Sequence, residues 1–180
     1  PGSGVDLDRF HPVSHRKGTL RFLMAARLIA PKGVGEYLEA ARRVIKSGGN
    51  CEFLLAGVED DSFRAVSKSL IAGLKEEKKI HFLGHVEDMP KLLDTVDCVV
   101  LPSYYPEGVP RSLIEAAASG KVIITTHTPG CREVVVSGKN GYLVEPKSVD
   151  QLFEAMCKVL LLPLDELRAM QFTSRKIAEE

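Results

Sequence analysis

The chain has 180 residues, 44% hydrophobic and 27% charged, with 24 Lys plus Arg balanced by 24 Asp plus Glu. That is apolar sequence enough for one sizeable core, and the even balance gives no global field to draw the chain to nucleic acid or anionic lipid, so any phosphate site must be local. No apolar stretch approaches the roughly 20 residues of a membrane span. Cys51, Cys98, Cys131 and Cys157 form no C-x-x-C pair and sit mostly in apolar runs, which suits a reduced, cytoplasmic setting.

The start, Pro1-Gly2-Ser3-Gly4-Val5-Asp6, is turn-rich, lacks both an initiator Met and a signal-peptide layout, and reads as the middle of a longer protein. Residues 1–17 are expected to be an interdomain segment and 18–180 a single domain. Thr19 to Leu28 is a short apolar run after Gly18, suited to a buried parallel strand. Gly33 to Ser47 places Val34, Leu38, Ala41 and Ile45 at helical spacing and ends at Gly48-Gly49. Then alternate CEFLLAG, a helix from Ser62 to Glu76, KIHFLG, a helix from Met89 to Val96 and DCVVLPS. A helix from Arg111 to Ser119, KVIITT, a helical turn from Arg132 to Val136 and GYLVEP follow. Helices from Val149 to Leu161 and Leu164 to Glu179, parted by Pro163, close the chain.

Six short apolar strands alternating with helices require right-handed crossovers, hence an α/β, doubly wound, Rossmann-like and mainly parallel sheet with helices on both faces. Ligands of such sheets lie outside the carboxyl ends of the strands, which selects the loops after Leu28, Ala56, Leu83, Leu101 and Thr126.

In the first of these loops Arg27 and Lys32 precede a helix that begins near Gly33. An Arg fork and a Lys point charge beside free helix N–H groups suit a diphosphate, although spacing alone favours a solvated surface pair. After the strand ending at Leu101 comes Tyr104-Tyr105-Pro106-Glu107-Gly108-Val109-Pro110-Arg111-Ser112-Leu113-Ile114-Glu115. Gly108 permits close backbone approach to a ligand, and Pro110 opens a helix whose first N–H groups are free for phosphate. Glu115, two turns into that helix, can accept from both ribose hydroxyls, and Glu107 from hydroxyls of a sugar; each is also an ordinary surface charge when taken alone.

The segments GVDLDRFHP, ARL followed by K-G, PSYYPEGVPRSLIEAAASGKVIITT, PGCREVV and GKNGYLV resemble the C-terminal domain of family-four retaining GT-B glycosyltransferases over nearly the whole chain. The stretch EGVPRSLIE with PGCRE behind it is more specifically similar to bacterial enzymes that build capsule, lipopolysaccharide and lipid-linked glycans. The resemblance implies Arg27 and Lys32 on the donor diphosphate, Glu107 on the sugar and Glu115 on the ribose. It also implies that backbone at Gly108, Val109, Pro110 and Arg111 borders the phosphates and sugar, and that Gly84, His85 and Val86 lie near the base. His127 departs from the pattern, since such bacterial sequences often carry Asp after the Thr-Thr pair.

The implied activity is binding of a nucleotide-sugar, a UDP-sugar or UDP-N-acetylhexosamine, for retaining transfer without metal or cofactor, with Arg27, Lys32 and Glu107 as the catalytic set. The implied partners are the nucleotide-sugar, a sugar or lipid-linked sugar acceptor and an N-terminal acceptor-binding domain through which any peripheral membrane contact would run; this piece alone is expected to be inactive. Alternatives are a sugar-nucleotide epimerase or phosphorylase of like architecture, and a non-enzymatic regulatory module. No G-x-G-x-x-G or G-x-x-x-x-G-K-[ST] follows any strand, which disfavours a dehydrogenase or P-loop enzyme. Asp6-Leu7-Asp8 reads as linker rather than a metal motif. Among His11, His15, His81, His85 and His127, the pair His11 and His15 has helical metal spacing, but Pro12 and Ser14 between them argue for a loop.

Overall fold

The computed structural model describes residues 4–13, 18–62 and 64–180. Six parallel strands, β1 (Leu20–Ala25), β2 (Cys51–Ala56), β3 (Ile80–Gly84), β4 (Cys98–Leu101), β5 (Val122–Thr126) and β6 (Gly141–Val144), form a sheet of order β3-β2-β1-β4-β5-β6. The helices between and after them are α1 (Val34–Lys46), α2 (Lys68–Gly73), α3 (Met89–Asp94), α4 (Arg111–Ala118), α5 (Val149–Leu160) and α6 (Leu164–Glu179). This is the expected doubly wound architecture. Winding runs outward from β1 in one direction and outward from β4 in the other, so right-handed crossovers put α1 and α4 on opposite faces. α1 packs with α5, and α4 with α6.

The central strands are buried on both faces, which is why β4 and β5 read as continuous apolar runs rather than alternating ones. Phe22 of β1 stacks on Phe53 of β2 with ring centroids 5.0 Å apart, and Tyr37 of α1 meets Phe53 edge-on at 6.1 Å. The buried Tyr37 hydroxyl donates to the Leu54 carbonyl at 3.0 Å, and burial raises its pKa well above the ordinary phenol value. The buried face of α1 carries Val34, Tyr37, Leu38, Ala41 and Val44; Ile45, expected there, lies at its margin. With the buried Ala40 the stripe follows i, i+3 and i+4 from Tyr37, the period of a helix packed on one side, and α5 packs against α1.

The one long departure from expectation falls between β2 and α2. A helix from Ser62 forms only from Lys68, where the Ser67 hydroxyl caps it by accepting from the Leu70 N–H. Upstream, Asp60 takes the Ser62 N–H at 2.7 Å, and the chain pairs instead with the loop after β1: Leu28 N–H donates to Val58 O, Ala30 N–H to Arg64 O and Val66 N–H to Leu28 O. Asx chemistry and an available strand-like partner outcompete the helix there. Phe63 lies outside the described residues.

In the segment before β1, Asp6 accepts the N–H groups of Asp8 and Arg9, both at 3.0 Å, so Asp6-Leu7-Asp8 closes a turn. Phe10 is buried in the core, and Arg175 of α6 donates to the carbonyls of Leu7, Phe10 and Ala118 at 3.4, 2.8 and 2.9 Å. Pro1 to Ser3 and Ser14 to Lys17 lie outside the described residues, and with His15 so does the His11–His15 pair. The four cysteines are free thiols, and burial pushes Cys51 up to about 11.

Asn140, fully buried, ties the turn Cys131–Val134 to β6 and α6. Its Nδ2 donates to Val134 O at 2.9 Å and to Ser174 Oγ at 3.3 Å, and its Oδ1 accepts the Val136 N–H at 2.8 Å. Asn140→Ala strands these partners without water and is expected to cost about 2–3 kcal/mol, read as a lowered urea midpoint at unchanged slope.

Candidate functional site

The strand order reverses between β1 and β4, and the loops leaving their carboxyl ends diverge to opposite faces, opening a crevice there. Two devices bring these loops together. Gly33, at φ +80°, turns the chain from the 3-10 turn Ala30–Lys32 into α1; a Cβ there would lie 2.7 Å from Pro102 Cγ. The Tyr104 N–H then donates to Pro31 O at 2.9 Å.

This contact sets Lys32 against Glu107. The Lys32 Nζ donates to Glu107 Oε1, with side-chain exposures of 10% and 23%. The buried Ser103 hydroxyl donates to the same oxygen at 3.3 Å and accepts the Tyr105 N–H at 3.2 Å. From β5, the Thr126 hydroxyl donates to Ser103 O. From behind, Gly130 (φ +83°) abuts the loop so closely that a Cβ would come within 2.8 Å of Glu107 O. Gly108 differs: a Cβ there meets nothing within 4 Å, so its α-carbon faces open space.

Tyr105 gathers the cations. Lys32 Nζ lies 5.2 Å from its ring centroid, and the guanidinium carbons of Arg27 and Arg64 each lie 5.8 Å away. Arg27 is itself exposed, 4.0 Å from Asp60. Hydrogen bonds from Ser62 hold the Asp60 carboxyl below its ordinary range, with Arg27 contributing less. Arg27, Asp60, Ser62, Arg64 and Tyr105 line a hollow of about 230 Å³. On the other side Arg27, Gly57, His85, Val86, Met89 and Ser112 line one of about 260 Å³. Gly84 (φ +64°) turns the chain toward it, its carbonyl accepting the Gly57 N–H at 2.8 Å.

Pro110 caps α4 with extended backbone, which leaves the N–H groups of Arg111 and Ser112 without partners inside the helix. Glu115, one turn beyond Ser112, is 12% exposed and pairs with Arg111 Nε at 2.8 Å. Val109 is half-buried beside these groups, and His127, at the end of β5, is exposed with its N–H on Val144 O. The structure thus joins Lys32 to Glu107 directly, puts Arg27 on the same tyrosine ring and Glu115 with Arg111 on α4. Sequence reasoning missed Ser103, Tyr105, Arg64 and Asp60. The aromatic Tyr105 two residues before Glu107 was a readable signal; the Arg64 contribution was hidden by the helix expected across it.

Among the described residues no group of three or more His, Cys, Asp or Glu side chains gathers to hold a metal ion, and no helix is long and apolar enough to cross a membrane. A larger cavity, about 670 Å³, includes Asp97, Lys121, Phe172 and Arg175 at the amino ends of β4 and β5 and shares none of the residues above.

A parallel sheet of order 3-2-1-4-5-6 with helices on both faces and a basic crevice at its switch point is a Rossmann-like α/β domain of the kind that forms one half of a GT-B fold. Residues 8–176 match the family described as Glycosyl transferases group 1, and the chain belongs to it. It is 35% identical over 144 residues to the N,N'-diacetylbacillosaminyl-diphospho-undecaprenol alpha-1,3-N-acetylgalactosaminyltransferase of Campylobacter jejuni, covering 80% of this chain and 35% of that protein. It is 27% identical over 171 residues to the UDP-Gal:alpha-D-GlcNAc-diphosphoundecaprenol alpha-1,3-galactosyltransferase of Escherichia coli, covering 87% and 43%. The chain therefore spans less than half the length of these relatives.

The C-terminal domain of the group 1 glycosyltransferase LpcC of Francisella tularensis superposes with TM-score 0.85 at 26% identity, covering 98% of this chain and 97% of that one. Anabaena HepE in complex with UDP-glucose shares the fold at TM-score 0.84 and 21% identity, over 98% of this chain and 51% of that one.

Gly130→Ala places a methyl group against loop backbone at a strained φ and is expected to cost about 1–3 kcal/mol. Gly108→Ala, facing open space, should stay within about 0.5 kcal/mol of the parent. Thermal unfolding of the two variants separates them.

Proposed function

We propose that this chain holds the nucleotide-sugar donor of a retaining, metal-independent glycosyltransferase that builds bacterial surface polysaccharide or lipid-linked glycan, with UDP as the nucleotide and a hexose or N-acetylhexosamine as the sugar. The observation that carries this reading is the crevice at the switch point, where three cations ring Tyr105 beside the open N-terminus of α4.

Arg27 and the α4 amides of Arg111 and Ser112 receive the diphosphate, joined by Lys32 from below. Glu107 accepts from sugar hydroxyls, and Glu115 from the ribose once Arg111 turns outward to phosphate. The base lies in the hollow beside His85 and Val86. Breaking the sugar–phosphate bond leaves negative charge on the departing diphosphate, and fixed cations and amides aimed at it lower the barrier without a metal. No carboxylate of this chain is assigned as a covalent nucleophile. The acceptor, a sugar or lipid-linked sugar, is held by an N-terminal domain, so that this chain alone binds donor and transfers little. Residues 1–17 form the interdomain segment, the donor needs no cofactor, and the setting is cytoplasmic. The relatives' names support the substrate class, since two of them specify undecaprenyl-diphosphate-linked sugars.

Isothermal titration of the folded chain with UDP, UDP-glucose, UDP-galactose and their N-acetylhexosamine analogues should give saturable heat for UDP and at least one UDP-sugar. Arg27→Ala and Glu115→Ala should each weaken UDP about tenfold, the loss of one charge-assisted contact. Parental affinity in both variants would remove the assignments.

A further inference from the structure

We propose that Glu107 selects intact donor over released nucleotide by acting as the standing counter-charge of Lys32. This rests on the donor-binding reading above and adds a division of labour between the two oxygens of one carboxylate.

Both protein contacts of Glu107 fall on Oε1, from Lys32 Nζ and from Ser103 Oγ; among the described residues Oε2 accepts no protein hydrogen bond. Oε1 is therefore the oxygen that fixes the side chain, and Oε2 the one offered to a ligand. Lys32 and Ser103 hold the carboxylate by Oε1, on a loop whose backbone is itself packed. Ser103 is buried, its carbonyl is held by Thr126, and Gly130 backs the Glu107 carbonyl. Lys32, on the short turn Ala30–Lys32, has a side chain 10% exposed that ends on Glu107 Oε1.

Around Tyr105 the cations Arg27, Lys32 and Arg64 lie with the carboxylates Glu107 and Asp60, so a ligand here meets charges of both signs. A bare nucleoside diphosphate brings up to three negative charges to this crevice and nothing for Oε2 to accept. Its phosphates must share Lys32 with a carboxylate that repels them across a half-buried gap, where screening is weak. The intact donor brings one charge fewer and supplies hydroxyls that donate to Oε2. Glu107 thus opposes the product and favours the substrate, which lets the diphosphate leave once the sugar has gone.

The test is Glu107→Gln, which keeps shape and the Ser103 contact while removing the charge. Affinity for UDP and for the best-bound UDP-sugar of the parent is measured by titration calorimetry, with folding checked by thermal unfolding. Glu107→Gln is expected to bind UDP about three- to tenfold more tightly than the parent and the UDP-sugar more weakly, so that the preference for UDP-sugar over UDP falls at least tenfold. Lys32→Met, the opposite change, should weaken UDP more than the UDP-sugar. If UDP binds Glu107→Gln no tighter than the parent, or if both ligands move together, the selector role is wrong although the donor site stands. If the folded parent binds neither ligand, the donor-binding reading itself fails. Should Glu107→Gln not fold, Lys32→Met with Ser103→Ala decides: Ser103→Ala frees the carboxylate to move, and is expected to reduce the preference for UDP-sugar while leaving UDP within about twofold.

Discussion

The structure turns on a single half-buried ion pair, Lys32 with Glu107, placed where the sheet reverses its winding. Taking two charges from water is costly, and their attraction offsets that cost only if the geometry is fixed and the remaining hydrogen-bonding capacity is satisfied. Every unusual backbone feature nearby serves that requirement. Gly33 lets the β1 loop press on Pro102, Tyr104 N–H joins the loops through Pro31, and Gly130 backs Glu107 without a side chain. A side chain at Gly33 would press the β1 loop off Pro102, and one at Gly130 would press the chain after β5 against the backbone of Glu107 and Gly108.

The same constraint explains why the charge pair lies in the crevice and not at the amino edge. Parallel strands present their carboxyl ends together, and loops leaving β1 and β4 are the two neighbours that do not run to the same face. A lysine from one and a glutamate from the other can therefore meet. Hollows of about 230 Å³ at Arg64 and about 260 Å³ at His85 open at the same edge, with Arg27 lining both. Tyr105 lines the first, and its ring meets three cations.

Much of this was legible in the residues. Strand and helix alternation gave the parallel sheet, since six apolar runs with helical spacing between them leave little other topology. The boundaries shifted where local chemistry competed with periodicity, most plainly at Asp60 and Ser62, whose hydrogen bond ends any helix before Ser67 can start one. Arg27, Lys32, Glu107 and Glu115 are singled out by their place at the carboxyl ends of strands together with the resemblance carried by EGVPRSLIE, since each taken alone reads as a surface charge. Their pairing could not be read, since Lys32 to Glu107 spans 75 positions and depends on two glycine conformations and a serine hydroxyl. Arg64 was invisible for a related reason: its reach to Tyr105 follows from the irregular pairing of residues 58–66 with the β1 loop.

A crevice that holds its cation against its own carboxylate within the fold meets the cost of ordering both side chains at folding. Long flexible Lys and Glu side chains lose rotamer freedom when fixed, about 1.5–2 kcal/mol each, and a ligand arriving at a disordered pair would have to supply it. Here folding supplies it through Pro102, Ser103 and Thr126, none of which need touch a ligand. What the ligand must still do is displace water and exchange partners. A ligand that offers hydroxyl donors to Glu107 and anionic oxygens to Lys32 at once satisfies both members of the pair, whereas one that offers only the second leaves the carboxylate facing like charge. In the donor-binding reading proposed above, the half-buried pair makes recognition of phosphate conditional on recognition of what is attached to it.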